Sequence, residues 1–166
     1  MTASGGGIFR PGMRAYFVPL VAGLALATSA FLPWVIVSDI IIRGVPDVPG
    51  LWIIGLGGLA TVLALLSLIT RKNSRHPLLI IGLVALGIMF LSWRILPRSA
   101  GERALTVSQA FAIVEGRPIG EPPIAATGSG IYVGLVASFV IVCFGLTIVV
   151  RRAQTPYTVV SADDDV

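Results

Sequence analysis

The sequence predicts an all-α integral membrane protein with four transmembrane helices, and three observations carry that reading. First, four long apolar runs cross a chain of 166 residues that is 55% hydrophobic and only 12% charged, with a mean hydropathy of +0.93. A soluble domain is about 25% charged, so the solvent of these runs is mostly lipid. Second, the basic loop Arg71-Lys72-Asn73-Ser74-Arg75-His76 sits between two runs that hold no charge before Arg94. Short loops rich in Lys and Arg stay in the cytoplasm. Third, Trp34, Trp52, Trp93 and Tyr132 fall at the same predicted end of four different runs, which is the pattern of an interfacial aromatic belt.

Residues 1–14 form a Gly-rich cytoplasmic lead carrying Arg10 and Arg14 and no acid. The first span is expected over 16–37. Its apolar character continues past Thr28-Ser29-Ala30, further than a signal-peptide core extends, so it is read as a retained helix. Pro19 suits its first turn, and Pro33 marks its exit to the outer face. Residues 38–50 form an outer loop with Asp39, Arg43 and Asp47, broken by Pro46, Pro49 and Gly50. Its Ile40-Ile41-Ile42 run is expected on the membrane surface or beneath the larger outer loop.

The second span, 51–70, would cover about 30 Å at 1.5 Å per residue, the thickness of a hydrocarbon core. After the basic loop, Pro77 opens the third span, 78–96, which is expected to stop before Pro97. Residues 97–130 are the one long polar stretch. Within it, Thr106-Val107-Ser108-Gln109 has the form of a capping box, Val107, Ala110, Phe111 and Val114 recur at helical spacing, and Gly116 is a terminator. A short amphipathic helix over 107–115 is therefore expected in the outer loop. The fourth span, 131–150, stops at Arg151-Arg152, and a polar tail over 151–166 ends in Asp163-Asp164-Asp165-Val166. One membrane domain over 1–150 accounts for the whole apolar chain.

Assigning sides places Arg10, Arg14, Arg71, Lys72, Arg75, Arg151 and Arg152 inside with no acid among them before the tail. The outer segments balance Arg43, Arg94, Arg98, Arg103 and Arg117 against Asp39, Asp47, Glu102, Glu115 and Glu121. Both termini are thus expected in the cytoplasm. The net charge of +4 is spread over helix ends, where it meets anionic headgroups, and does not point to nucleic acid. Abundant Arg, Ala, Gly and Val suggest a high-GC bacterial genome, and hence the bacterial plasma membrane.

Candidate chemistry is sparse. One His and one Cys, His76 and Cys143, cannot make the multi-ligand zinc, haem or iron–sulfur patterns, and no cofactor is expected. His76 is predicted on the opposite side of the membrane from Asp39 and Asp47, so no catalytic triad can assemble. Arg94, three residues from a predicted helix end, snorkels to the headgroups. The small residues are more informative. Gly130, Gly134 and Ser138 line one face of the fourth run, Gly57 and Thr61 one face of the second, and Gly23 and Ala27 one face of the first. Such faces let helices approach closely in lipid. They pack the four helices on one another, or one of them docks a partner subunit.

Three pieces carry a resemblance: Phe31-Leu32-Pro33-Trp34 closing the first run, the Gly-rich second run from Trp52, and Gly128-Ser129-Gly130-Ile131-Tyr132 opening the fourth. With this layout the chain resembles small four-helix membrane proteins of actinobacteria. Some of these are similar to non-catalytic accessory factors of the mycobacterial respiratory supercomplex of a cytochrome bcc complex and a cytochrome oxidase. A claudin-like plan shares the topology, but the paired outer cysteines of that family are missing here. The resemblance implies an accessory subunit with integral membrane partners, respiratory subunits among them, and with no catalytic residues to carry over. The alternative is a small oligomeric transporter, channel or export factor, which would need polar groups on a shared axis. Only Ser29, Thr61, Ser67, Ser138 and Thr147 are available for that.

Overall fold

A computed structural model describes residues 15–70, 75–116, 118 and 123–153. The lead, residues 71–74 of the basic loop, Glu121-Pro122 and the tail from 154 onward lie outside the described residues. The described chain is mostly helical, with a small sheet. In order the elements are α1 (Phe17–Ser29), β1 (Pro33–Val37), β2 (Ile40–Arg43), α2 (Val48–Thr70), α3 (Arg75–Glu115), β3 (Ala125–Thr127) and α4 (Ser129–Ala153). Three helices, α2, α3 and α4, are long and apolar enough to cross a membrane.

The helix expected over 16–37 is divided. Its helical part ends at Ser29 after 13 residues, about 20 Å and short of a hydrocarbon core. The remainder becomes β1. Pro33 supplies no N–H and steers Leu32 away from helical geometry. Beyond it, the branched run Val35-Ile36-Val37 finds a partner in Ile40-Ile41-Ile42, paired antiparallel in the register Val35↔Ile42 and Val37↔Ile40. Ser38 and Asp39 make the two-residue turn, with Ser38 at φ +51°, as the mirror-image hairpin turns require. β3 adds on the other edge, Val35↔Thr127 and Val37↔Ala125, giving the order β2-β1-β3. The outer loop expected over 38–50 is therefore partly sheet.

The third helix differs most. It runs unbroken for 41 residues with Pro97 inside it, so no separate amphipathic helix exists over 107–115. Thr106 does not cap anything; its Oγ1 donates back to the Glu102 carbonyl at 2.9 Å, a mid-helix bond. Neighbouring structure offsets the cost of Pro97. Just beyond it, Ala100 and Ala104 pack on the buried core, and Gly101 comes so close to β3 that an added Cβ would touch the Ala125 Cβ at 3.4 Å. The helix stops where Gly116 takes φ +64°, as its terminator role requires. α2 begins earlier than expected, with Pro49 in its first turn, where the missing N–H costs little. α4 extends past Arg151-Arg152 to Ala153.

α1 packs against α2 and α4, and α3 against α4. Small residues set each crossing. A Cβ at Gly57 would lie 2.6 Å from the Ala27 backbone nitrogen, and one at Gly23 2.6 Å from Thr61 Oγ1. A Cβ at Gly145 would fall 2.6 Å from the Leu79 Cβ, and one at Gly82 3.0 Å from Ile141. These pairs run antiparallel, so the sheet sits at one end of the bundle. At the other end, Tyr16 meets Phe144 edge-on with centroids 5.2 Å apart.

Trp34 joins the sheet to the bundle. Expected among the interfacial rings, it is instead 1% exposed. Its Nε1–H donates to the Ser29 carbonyl at 2.9 Å, and its own carbonyl accepts the Gly128 N–H at 2.7 Å. The ring lies over Gly44 and against Gly130, where a Cβ would stand 2.7 Å from Cδ1. A bulge between Pro33 and Val35 lets Trp34 and its neighbour Val35 both be buried.

Three outcomes follow for stability in mild detergent. Gly57→Leu forces α1 and α2 apart and should lower stability by about 2 kcal/mol or more, the scale of overpacking. Gly55→Leu on the same helix, with nothing within 4 Å of its added Cβ, should leave the thermal midpoint nearly unchanged. Trp34→Phe should cost about 1 kcal/mol through the lost N–H bond, read in the same thermal melts.

Candidate functional site

Among the described residues, the sheet and α3 border a cleft that combines apolar and charged side chains. From Leu96 onward, α3 turns one stripe toward the hairpin: Leu96, Ala100, Arg103, Ala104, Val107 and Phe111. These positions recur at three- and four-residue steps and so share a helix face. Near Leu96 the stripe is tied to the core. By Val107 and Phe111 it is exposed, because the hairpin is shorter than the helix it braces. β1 and β2 supply the opposite wall through Val35, Val37, Ile40 and Ile42. The enclosed volume is about 570 Å³, within the range of small-molecule sites.

Polar groups are set into these walls at several levels. Arg43 at the end of β2 and Arg103 on α3 face the cleft together with Asp47, and Ser38, Ser99 and Ser108 add hydroxyls. Ser99 and Ser108 donate to their own helix, to the Leu96 carbonyl at 3.1 Å and the Leu105 carbonyl at 2.8 Å. The two guanidiniums are the cationic groups left to meet a ligand, beside the Ser38 hydroxyl and the Asp47 carboxylate.

A second groove, about 720 Å³, runs between α1 and α4, with Phe17, Val21 and Ala25 facing Tyr132, Val136 and Val140. It contains no charge and offers shape alone.

The residues singled out in the sequence fall into two groups. The small-residue positions are turned inward. Gly130 abuts Trp34 and the Ser29 carbonyl, and Gly134 abuts Met89. Ser138 is fully buried and donates to the Leu135 carbonyl at 3.0 Å. Gly57 and Thr61 meet Ala27 and Gly23. The remaining aromatic anchors lie outward: Trp52 and Tyr132 are more than half exposed, and Trp93 is partly exposed and tilted against Phe90 at 5.9 Å. Arg94 and Cys143 are exposed, and His76 sits at the start of α3, far along the helix from the cleft. Among the described residues no three His, Cys, Asp or Glu side chains are grouped to hold a metal.

The sequence places Ile40-Ile41-Ile42 in an outer loop, on the membrane surface or beneath the larger outer loop, and neither placement foresees the cleft. The signal was present: two branched runs separated by Ser38-Asp39 are a hairpin pattern. Against known proteins the chain matches no family model, and no curated protein or solved structure shows significant similarity to it.

Proposed function

We propose that the chain is a non-catalytic accessory subunit of a larger bacterial membrane complex, seated in the plasma membrane with both termini in the cytoplasm. The observation that supports it best is the length of α3. Its 41 residues extend for about 60 Å, twice a hydrocarbon core. With Arg75 at the inner surface, the part beyond Leu96 stands clear of the lipid as an arm. That arm ends in exposed Phe111, Ile113 and Val114, the last two 75% and 84% exposed. Large apolar side chains grouped at a projecting tip mark a protein contact surface. The partner is another membrane subunit with an outward-facing domain; following the resemblance drawn from the sequence, the cytochrome bcc–oxidase supercomplex is the specific candidate.

The membrane seat is supported by the bundle's perimeter, which exposes Leu24, Leu59, Leu66, Leu83 and Val136 among many apolar side chains. Trp52, Trp93 and Tyr132 would lie at one interface. The alternative reading, a small oligomeric transporter or channel, needs a polar path. The hydroxyls of Ser29, Thr61, Ser67, Ser138 and Thr147 instead donate to carbonyls three or four residues back in their own helices, at 2.6 to 3.0 Å. That local bonding disfavours a shared polar lining.

Isolation from native membranes in mild detergent should recover stoichiometric partner subunits, with haem absorption if the partner is respiratory. Ile113→Asp combined with Val114→Asp should cut that recovery at least tenfold, since two apolar contacts of this size are worth several kcal/mol, while leaving the chain in the membrane fraction. Recovery of the chain alone, or of a homo-oligomer, contradicts the accessory reading. In a Cys143→Ala background, an impermeant maleimide should label Gly116→Cys but not Lys72→Cys in intact cells. The reverse pattern contradicts the orientation.

A further inference from the structure

We propose that the cleft between the β1–β2 hairpin and α3 binds an anionic phospholipid from the outer leaflet, with an acyl chain against the apolar walls and the phosphate at Arg43 and Arg103. The inference rests on the membrane seat proposed above but not on the identity of any partner complex.

Three observations converge. The walls are mainly apolar, with Leu96, Val107 and Phe111 on α3 facing Val35, Val37, Ile40 and Ile42 on the hairpin. A soluble polar metabolite would forfeit its hydration there without compensation. The lining carries two guanidiniums against one carboxylate, Asp47. Among the described residues no ion pair engages either arginine, so both forks are available for the paired N–H contacts that phosphate accepts. Finally, the base of the cleft at Leu96 is one helical turn beyond Trp93, the ring expected at the interface. A lipid can therefore enter the cleft from the adjacent leaflet at its Leu96 end. The α1–α4 groove is the internal contrast: it is of similar size, uncharged, and has no cationic group that would select an anionic headgroup.

The test uses the full-length chain reconstituted in phosphatidylcholine vesicles. These carry a trace of phosphatidylglycerol with a photoactivatable acyl chain, or the matching phosphatidylcholine probe. Cross-linked peptides are mapped by mass spectrometry. The anionic probe should label residues 96–111 in preference to the phosphatidylcholine probe, whereas labelling of residues 132–140 should be alike for both. Arg43→Ala with Arg103→Ala should lower the cleft signal roughly tenfold or more, the combined effect of two basic groups on one anionic lipid. Ser108→Trp, an exposed substitution at the rim, should block it by filling the mouth while the groove signal persists. Equal cleft labelling by both probes, or indifference to the arginine pair, overturns the proposal. Displacement by millimolar inorganic phosphate overturns it too, because the ligand would then be a free anion. Release of the chain from native membranes by alkaline wash would instead overturn the membrane seat, and the lipid assignment with it.

Discussion

Burial of the Trp34 indole at the meeting point of α1, the hairpin and α4 is the constraint from which the rest of the architecture follows. The ring fits only because Gly44 and Gly130 present no side chain to it. Its N–H closes on the Ser29 carbonyl, at the residue where α1 ends. Its carbonyl takes the Gly128 N–H, one residue before α4 begins. A single residue thus fixes where one helix stops, where another starts, and how the sheet is mounted between them. Buried aromatic surface supplies the energy and the two hydrogen bonds supply the direction.

The mounted sheet in turn decides the fate of α3. Proline within a helix removes a hydrogen bond and crowds the carbonyl four residues back, which by itself favours a break at Pro97. β1 and β3 offer a surface against which Ala100, Gly101 and Ala104 pack, and continuing the helix buries more than breaking it would. The arm, the cleft beneath it and the exposed tip all depend on that continuation. The functional readings therefore rest on a packing event some distance from the residues that would meet a ligand or a partner.

Much of this was legible in the residues, and the failures are instructive. The apolar runs announced the helices because lipid-scale length and low charge leave little alternative. Gly23, Gly57 and Gly130 announced close crossings, since small residues at four-residue spacing have that use, although their spacing alone could not say whether the surface they approach belongs to the same chain. Trp34-Val35-Ile36-Val37 reads as part of the first helix because a short strand with no polar alternation is as uniformly apolar as a membrane helix. Pro97 misled for the complementary reason: local propensity speaks for a break, and the opposing term comes from β3, almost thirty residues later. The cleft was hidden by the same error, as one of its walls is the hairpin that was read as helix and loop.

Continuity of α3 through Pro97 is the claim on which the arm and the cleft both stand. It is tested most directly by a distance between spin labels at Ile80→Cys and Val114→Cys, both exposed positions, in a Cys143→Ala chain reconstituted in vesicles. An unbroken helix places them about 50 Å apart at 1.5 Å per residue. A helix that breaks at Pro97 and lies flat on the membrane would bring them to about 35 Å, by the same rise per residue taken around a right-angle bend. A single population near the longer distance is the result this structure requires, and a population at the shorter one would contradict it.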